Sequence, residues 1–244
     1  MSATAVLLLR VWAERDGCYL PEDPYGAYVE GAARDIEFIR GCTKDEVGYF
    51  IHSFRLKGYS AFADDRMAKK MAQLTEAEQG LVEGFCADAR DVSTEYSATS
   101  RLFDQIVFIA PLFRMSENVT RAGGKNYTYF FTPESTVPLT RSGHAVELPG
   151  VFNHPELTES TGRAFDETFS KIMRKMWVQF ATCGNPTLQA DVSPDGKEHV
   201  WPLYDLEDRQ AMVFDEFDTH PEKEDVRQIL DWDRTYFLTR YYCI

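Results

Sequence analysis

Gly41-Cys-Thr-Lys-Asp-Glu46-Val-Gly-Tyr-Phe50 and Ser142-Gly-His144-Ala-Val-Glu-Leu-Pro-Gly-Val-Phe152 are the two stretches that decide the fold of this chain. Each follows a short apolar run, Ile36 to Ile39 in the first case and Tyr127 to Phe131 in the second, and such runs predict buried β-strands. Glu46 and His144 therefore fall in loops just beyond two strands, where α/β proteins keep their reactive side chains. The pattern predicts an α/β fold that brings together two residues 98 positions apart.

Glu46 also has a purely structural interpretation. The apolar residues from Val47 to Phe54 recur at steps of three and four, which predicts a helix from Asp45 to Phe54. Thr43 would then be the N-cap, with Glu46 as the reciprocal glutamate of a capping box. This segment alone leaves open whether Glu46 caps a helix or acts as an acid.

The rest of the chain alternates helical and extended patterns. Residues 62–120 predict helices, the last of which should kink or end at Pro111. Apolar spacing from Ser160 to Thr182 predicts a long amphipathic helix. Met212 to Phe214 predicts an edge-like strand, and Lys223 to Arg240 a final helix.

Four segments, taken in chain order, carry motifs of one known family. They are Asp16-Gly17 with Leu20-Pro21 and Pro24 (D-G-x-x-L-P-x-x-P), Gly41 to Val47 (G-x-t-x-D-E-G), Ser142 to Phe152 (G-A-x-H-G-x-E-L-x-Y-V-F-G), and Trp177 to Pro186 with Trp201 to Tyr204 (W-x-x-F-A-x-x-G-x-P and W-P-x-Y). The chain resembles the C-terminal half of the type-B carboxylesterase/lipase family, which includes para-nitrobenzyl esterases and cholinesterases. The resemblance spans nearly the whole sequence.

The resemblance implies that Glu46 is the acid of a catalytic triad and His144 its general base. Val47 and Ala145 stand where the family usually has glycine. The serine should lie upstream in a G-x-S-x-G turn, and the sequence contains no such turn. Ser60 is the nearest imitation, but Phe62 fills the second glycine position and the segment follows the acid. The glycine-rich oxyanion stretch is absent as well.

The resemblance also implies the fold class and the domain organisation. We expect residues 1–244 to form the C-terminal portion of an α/β-hydrolase fold, namely the last strands of the central sheet with flanking helices. Residues 55–121 would be a helix-rich, substrate-covering insertion between the acid and histidine loops. Aromatic side chains of this region are candidates for an ester-binding pocket, with core packing as an equally good explanation: Phe54, Tyr59, Phe62, Phe85 and Phe113.

The amino-acid composition limits the classes of ligand and the cellular location that we expect for this chain. A net charge of −13 and a pI near 4.8 argue against nucleic acid, which is bound through many Lys and Arg contacts to phosphate. We expect no metal and no cofactor, because the histidines, cysteines and acidic runs lack ligand spacing. The apolar Met1 to Leu9 is too short for a membrane span. Five widely spaced cysteines favour reduced thiols and a cytoplasmic location, unless a missing N-terminus carries an export signal.

Two functions from different classes remain open. In the first, the chain supplies the glutamate and histidine of a Ser-His-Glu esterase for a small ester substrate, and is inactive until joined to a serine-bearing N-terminal segment. In the second, it is a truncated, non-catalytic domain that acts as a binding or interaction module. Either way, we expect the exposed sheet edge to be covered by that segment or by self-association.

Overall fold

A four-stranded sheet organises the computed structural model of the chain, which describes residues 17–53, 68–69 and 71–223. Its strands lie in the order β1 (Glu37–Thr43), β2 (Lys125–Phe131), β3 (Gln210–Phe214) and β4 (His220–Lys223). The first three strands run parallel, and β4 is antiparallel to β3. The predicted helix from Lys223 to Arg240 lies outside the described residues, except that Lys223 ends β4.

Helices flank this sheet. They are α1 (Pro24–Val29), α2 (Glu46–Ser53), α3 (Glu76–Asp88), α4 (Ala98–Asp104), a π-helical turn (Gln105–Ile109), α5 (Ala110–Arg121), α6 (Leu148–Val151) and α7 (Glu167–Cys183). The predicted long amphipathic helix corresponds to α7. It begins where the Asp166 carboxylate accepts the Phe169 N–H at 2.9 Å, and it ends at Gly184, whose φ of +73° closes the helix.

The register of β1 and β2 brings the two motif loops side by side. Thr43, the last residue of β1, lies opposite Phe131, the last residue of β2. Because the strands are parallel, both chains leave the sheet at the same edge and at the same level. The two strands predicted from the apolar runs are therefore present, and their pairing places residues 44–46 next to residues 142–144.

Both faces of the sheet are covered, as expected for parallel strands. On one face, α7 packs its buried residues against the aromatic side chains of β2 and β3, and the core there comprises Tyr127, Phe131, Phe169, Met173, Met176, Trp201, Met212 and Phe214. On the other face, α5 and the π-helical turn cover a smaller core of Cys42, Ile109, Phe113, Phe130, Tyr204 and Ala211. A third cluster joins α2 to the helices between the two loops.

Two secondary-structure predictions need correction. Met212 to Phe214 is not an edge strand, because β3 lies between β2 and β4 and its Met212 and Phe214 side chains are fully buried. The four-residue β4, with its half-exposed polar sequence, gave no strand signal. The helix also does not end at Pro111, because helical structure continues to Arg121; the Ala110 N–H donates to the carbonyl of Gln105 in a wider turn just before the proline.

Candidate active site

Backbone hydrogen bonds join the loop after β1 to the loop after β2. The Lys44 N–H donates to the Phe131 carbonyl at 2.8 Å, and the Asp45 N–H donates to the Ser142 carbonyl at 2.9 Å. One residue further, the His144 N–H donates to the Glu46 carbonyl at 3.1 Å. The loops thus run alongside each other up to the two residues singled out by the sequence.

Glycine permits this close approach at two positions. A methyl group on Gly48, in the first turn of α2, would collide with the backbone carbonyl oxygen of Thr140. A methyl group on Gly143 would lie only 2.6 Å from that same oxygen and 2.6 Å from the backbone nitrogen of Tyr49. These atoms belong to the backbone and cannot rotate away, so side chains here would push the two loops apart.

Glu46 and His144 form a short hydrogen bond at the meeting point. The Nδ1 atom of His144 lies 2.6 Å from Oε2 of Glu46, and the side chains are 45% and 5% exposed, respectively. The other carboxylate oxygen, Oε1, accepts the Thr43 N–H at 2.8 Å. The buried carboxylate therefore orients an imidazole whose far side is open to solvent.

The predicted capping box is only half present. Glu46 does accept the Thr43 N–H, but Thr43 belongs to β1 and α2 begins at Glu46, so Thr43 is not the N-cap. The strand continues beyond the apolar run that ends at Ile39, and this places Thr43 in the sheet. The two interpretations of Glu46 are compatible, because each uses a different carboxylate oxygen.

The environment of His144 favours its protonated form. The hydrogen bond to Glu46 raises the pKa of His144, partial burial opposes this shift, and the charges of Glu46 and Glu147 add to it. Aromatic rings surround the imidazole: Phe50 stacks on it at 5.5 Å between centroids, Phe108 lies at 5.4 Å and Tyr49 at 6.3 Å. The hydrogen-bonded Glu46–His144 pair is thus held beside aromatic side chains.

Comparison with known proteins identifies the family of this chain. The sequence profile described as the carboxylesterase family matches residues 4–229. The chain belongs to the carboxylesterase family.

Relatives of the chain are longer carboxylesterases. It is 28% identical to carboxylesterase 1C of Rattus norvegicus over 217 residues, which cover 81% of this chain and 37% of that protein. It is 28% identical to the para-nitrobenzyl esterase of Bacillus subtilis (strain 168) over 219 residues, covering 84% of this chain and 40% of that protein. The chain spans about two fifths of the length of these relatives.

Solved structures confirm the predicted fold class. The carboxylesterase EST55 of Geobacillus stearothermophilus superimposes with a TM-score of 0.65 at 23% identity, over 91% of this chain and 44% of that one. A thermophilic PNB esterase gives a TM-score of 0.64 at 24% identity, over 86% and 42%. The described residues therefore form part of an α/β-hydrolase fold.

Of the five aromatic residues predicted to line a pocket, Phe85 and Phe113 lie among the described residues, and these two lie in different places. Phe54, Tyr59 and Phe62 lie outside the described residues, as does Ser60. Phe113 is 2% exposed and packs in the core beneath α5 with Phe130 and Tyr204. Phe85 lines a cavity of about 560 Å³ whose wall includes neither Glu46 nor His144.

Sequence reasoning missed three residues around the Glu46–His144 pair. Tyr49 and Phe50 directly follow the acid motif, so their place on the first turns of α2 was a usable signal. Phe108 comes from the π-helical turn and had none, because it approaches His144 only through the packing of distant helices. Besides these three aromatic residues, the sequence did not point to Glu147, whose charge acts on His144 and whose own pKa is raised to about 7 by burial.

Neither a candidate metal-ligand cluster nor a membrane-spanning helix is found in the part of the chain that the structure describes. Across residues 17–53, 68–69 and 71–223, no group of three or more His, Cys, Asp or Glu side chains is arranged to hold a metal ion. None of the helices in this part of the chain is long and apolar enough to cross a membrane.

Proposed function

We propose that this chain takes part in carboxylic ester hydrolysis by a Ser-His-Glu mechanism, with Glu46 as the acid, His144 as the general base, and the nucleophilic serine supplied by another segment. The observation that carries the proposal is the 2.6 Å contact between Nδ1 of His144 and Oε2 of Glu46, two residues 98 positions apart. Membership of the carboxylesterase family supports ester chemistry. The substrate class is a small carboxylic ester.

The contact to Glu46 assigns each nitrogen of the imidazole a task. In neutral His144, the Nδ1–H group donates a hydrogen bond to Glu46, so the free lone pair lies on Nε2. Nε2 accepts the serine proton as the serine oxygen attacks the ester carbonyl carbon. The tetrahedral intermediate then collapses, the alkoxide leaves with the proton from Nε2, and water hydrolyses the acyl-enzyme by the same steps.

The carboxylate of Glu46 stabilises the imidazolium that forms in each step. Its Oε1 atom is fixed by the Thr43 N–H, so Oε2 does not have to reorganise when His144 gains a charge. The aromatic side chains of Phe50 and Phe108 leave an apolar surface beside the base. We infer that this surface contacts the acyl or alcohol group of the ester.

Ser142 is close to His144 in sequence but does not fit the role of nucleophile. Its side chain is fully buried, and its hydroxyl donates to the Phe131 carbonyl at 2.9 Å. That hydrogen bond ties the histidine loop to the end of β2. Because the sequence also lacks a G-x-S-x-G turn, the serine and the oxyanion donors have to come from a separate segment.

The outer edge of β1 is the proposed joining surface. Among the described residues, β1 pairs with no strand other than β2, and α5 packs against both strands. An open edge of a parallel sheet presents unpaired N–H and C=O groups to another strand. We propose that the serine-bearing segment adds a strand here, and that the isolated chain covers the edge by self-association.

Hydrolysis of a p-nitrophenyl ester tests this function. The chain alone should show no activity above the uncatalysed rate, and a chain joined to a serine-bearing segment should be active. In the joined protein, His144→Ala should lower kcat by a factor on the order of 10⁴, whereas replacing the exposed His154 with alanine should leave kcat unchanged. Activity of the chain alone, or of the joined His144→Ala variant, would contradict the mechanism.

The alternative is a binding module without catalysis. Its supporting observation is the missing nucleophile in a chain that spans about two fifths of its relatives. It predicts that joining a serine-bearing segment restores the mass and the fold of a complete domain but no turnover. Light scattering on the same samples separates this outcome from a failure of the two segments to associate.

A further inference from the structure

A buried ionic cluster lies immediately beside the Glu46–His144 pair and has no part in the mechanism above. Its centre is Asp45, whose side chain is 0% exposed. Nη1 of Arg101, on α4, hydrogen-bonds to Oδ1 of Asp45. Nε of Arg141, on the histidine loop, makes an ionic contact with Oδ2 at 3.3 Å. One carboxylate thus contacts two guanidinium groups, one from α4 and one from the histidine loop.

Both guanidinium groups also contact one aromatic ring. The ring of Tyr96 lies 4.8 Å from the guanidinium carbon of Arg101 and 4.9 Å from that of Arg141. Its hydroxyl donates to Oδ2 of Asp104 at 2.5 Å, and Oδ1 of Asp104 accepts the Val47 N–H at 2.9 Å. The cluster therefore also fixes the first turn of α2, directly after Glu46.

Asp45 connects the cluster to the histidine loop as well. The Ser142 N–H donates to Oδ2 of Asp45 at 3.2 Å, and the Asp45 N–H donates to the Ser142 carbonyl at 2.9 Å. Asp45 is one residue before Glu46, and Ser142 is two residues before His144. A displacement of this reciprocal link would change the separation of the two side chains that follow it.

Asp45 is the carboxylate that both guanidinium groups share. Of these two groups, Asp104 contacts only Arg101, with 3.6 Å between its Oδ2 atom and Nη1, and burial raises the pKa of Asp104 to about 8. The contacts of Arg101 and Arg141 therefore converge on the carboxylate of Asp45. Buried guanidinium groups need such a partner, because desolvation without compensation is costly.

We propose that Asp45 is a positioning residue of the Ser-His-Glu reaction. Its carboxylate contacts both Arg101 and Arg141, and through these contacts it sets the distance between the acid loop and the histidine loop. The inference rests on the proposed function for its catalytic meaning. The geometric part can be measured in this chain without any turnover. Asp45 touches neither the substrate nor the transferred proton, and acts through the placement of Glu46 and His144.

Arg141→Gln is the sharpest variant, because Asp45→Asn leaves two guanidinium groups without a counter-charge and can prevent folding. Arg141→Gln removes the guanidinium contacts from the histidine loop to Asp45 and to Tyr96, and Asp45 keeps its hydrogen bond to Arg101. The readout is the pKa of His144 from an NMR pH titration. Loss of a nearby positive charge would by itself raise that pKa. Loosening of the bond to Glu46 lowers it toward the ordinary histidine value of about 6.5, so the sign separates the two effects.

We expect the pKa of His144 to fall in Arg141→Gln and to recover in Arg141→Lys. The matched control is Arg163→Gln, which removes another guanidinium–carboxylate pair, with Glu216 at 2.5 and 2.9 Å, and another ring contact, with Phe165 at 5.2 Å. The control should leave the pKa of His144 unchanged. An unchanged or raised pKa in Arg141→Gln overturns the positioning role.

Joined to a serine-bearing segment, Arg141→Gln should lose about 10²-fold in kcat with little change in KM, as for a misplaced catalytic group. If the joined wild-type protein hydrolyses no ester, the proposed function fails, but the titration still decides whether Asp45 positions the pair. If the titration shows no effect while the joined wild type is active, only the positioning inference fails. The two failures are therefore distinguishable.

Discussion

Glu147→Gln should remove a large part of the pH dependence of stability. Glu147 is three residues after His144 in the sequence, and it is 9% exposed. Its Oε1 atom accepts the Tyr129 hydroxyl at a long 3.5 Å, and Oε2 is buried without a hydrogen-bond partner among the described residues. Burial raises the pKa of this carboxyl to about 7, because few contacts compensate its charge.

The sign follows from where the proton is held. Between the ordinary value of 4.5 and about 7, the folded state keeps the Glu147 proton that the unfolded state has lost. Stability from this group is therefore complete below pH 4.5 and is lost as the pH rises through about 7. The full difference corresponds to about 3 kcal/mol, of which about 2 kcal/mol falls between about pH 5.5 and about pH 8.

Urea denaturation at a series of pH values measures this term. The series should begin at about pH 5.5, because the solubility of the protein falls as the pH approaches the pI near 4.8, where the net charge is zero. From there to about pH 8, the free energy of unfolding of Glu147→Gln should rise by about 2 kcal/mol relative to wild type. The exposed Glu159→Gln serves as control and should follow wild type. A difference between Glu147→Gln and wild type that stays constant with pH would refute the reasoning.

Three further substitutions test local features of the fold, each by urea denaturation. Ala145 has a φ of +66°, so Ala145→Gly should stabilise by about 1 kcal/mol; a loss of stability would contradict the strain. Gly48→Ala should destabilise by about 1 to 3 kcal/mol, because its methyl group meets a backbone carbonyl, whereas Gly80→Ala, in open space within α3, should not. Asp166→Ala should cost about 1 kcal/mol by removing the N-cap of α7, and the exposed Glu167→Ala much less.

The approach of Glu46 to His144 could be anticipated from the sequence, because it follows from a few physical steps. Two apolar runs predict parallel buried strands, and the loops after such strands leave the same edge of a sheet. The acid motif begins within β1, and the histidine motif, which starts 11 residues after Phe131, is tied back to the end of β2 by the hydrogen bond from the Ser142 hydroxyl to the Phe131 carbonyl. The observed register, with Thr43 opposite Phe131, satisfies this expectation.

The ionic cluster and the inner position of β3 could not be anticipated in the same way. Asp45, Arg101 and Arg141 are 56 and 40 residues apart along the chain, and any of several surface charges would have been equally good partners. Their pairing depends on how α4 docks against α2, which hydrophobic periodicity does not encode. For β3, the deciding neighbour was a four-residue strand with a proline and alternating polar residues, and its signal is too weak to read.

The most direct test of the account is the NMR pH titration of His144 in wild type and in Glu46→Gln. We expect the pKa of His144 to lie above the ordinary histidine value in wild type. It should be lower in Glu46→Gln than in wild type, because the hydrogen bond to Glu46 is the largest cause of the increase. His154→Gln, at an exposed imidazole with its own carboxylate neighbour Glu156, should leave the titration of His144 unaltered. The same pKa in wild type and Glu46→Gln would contradict the pairing on which the proposed esterase function depends.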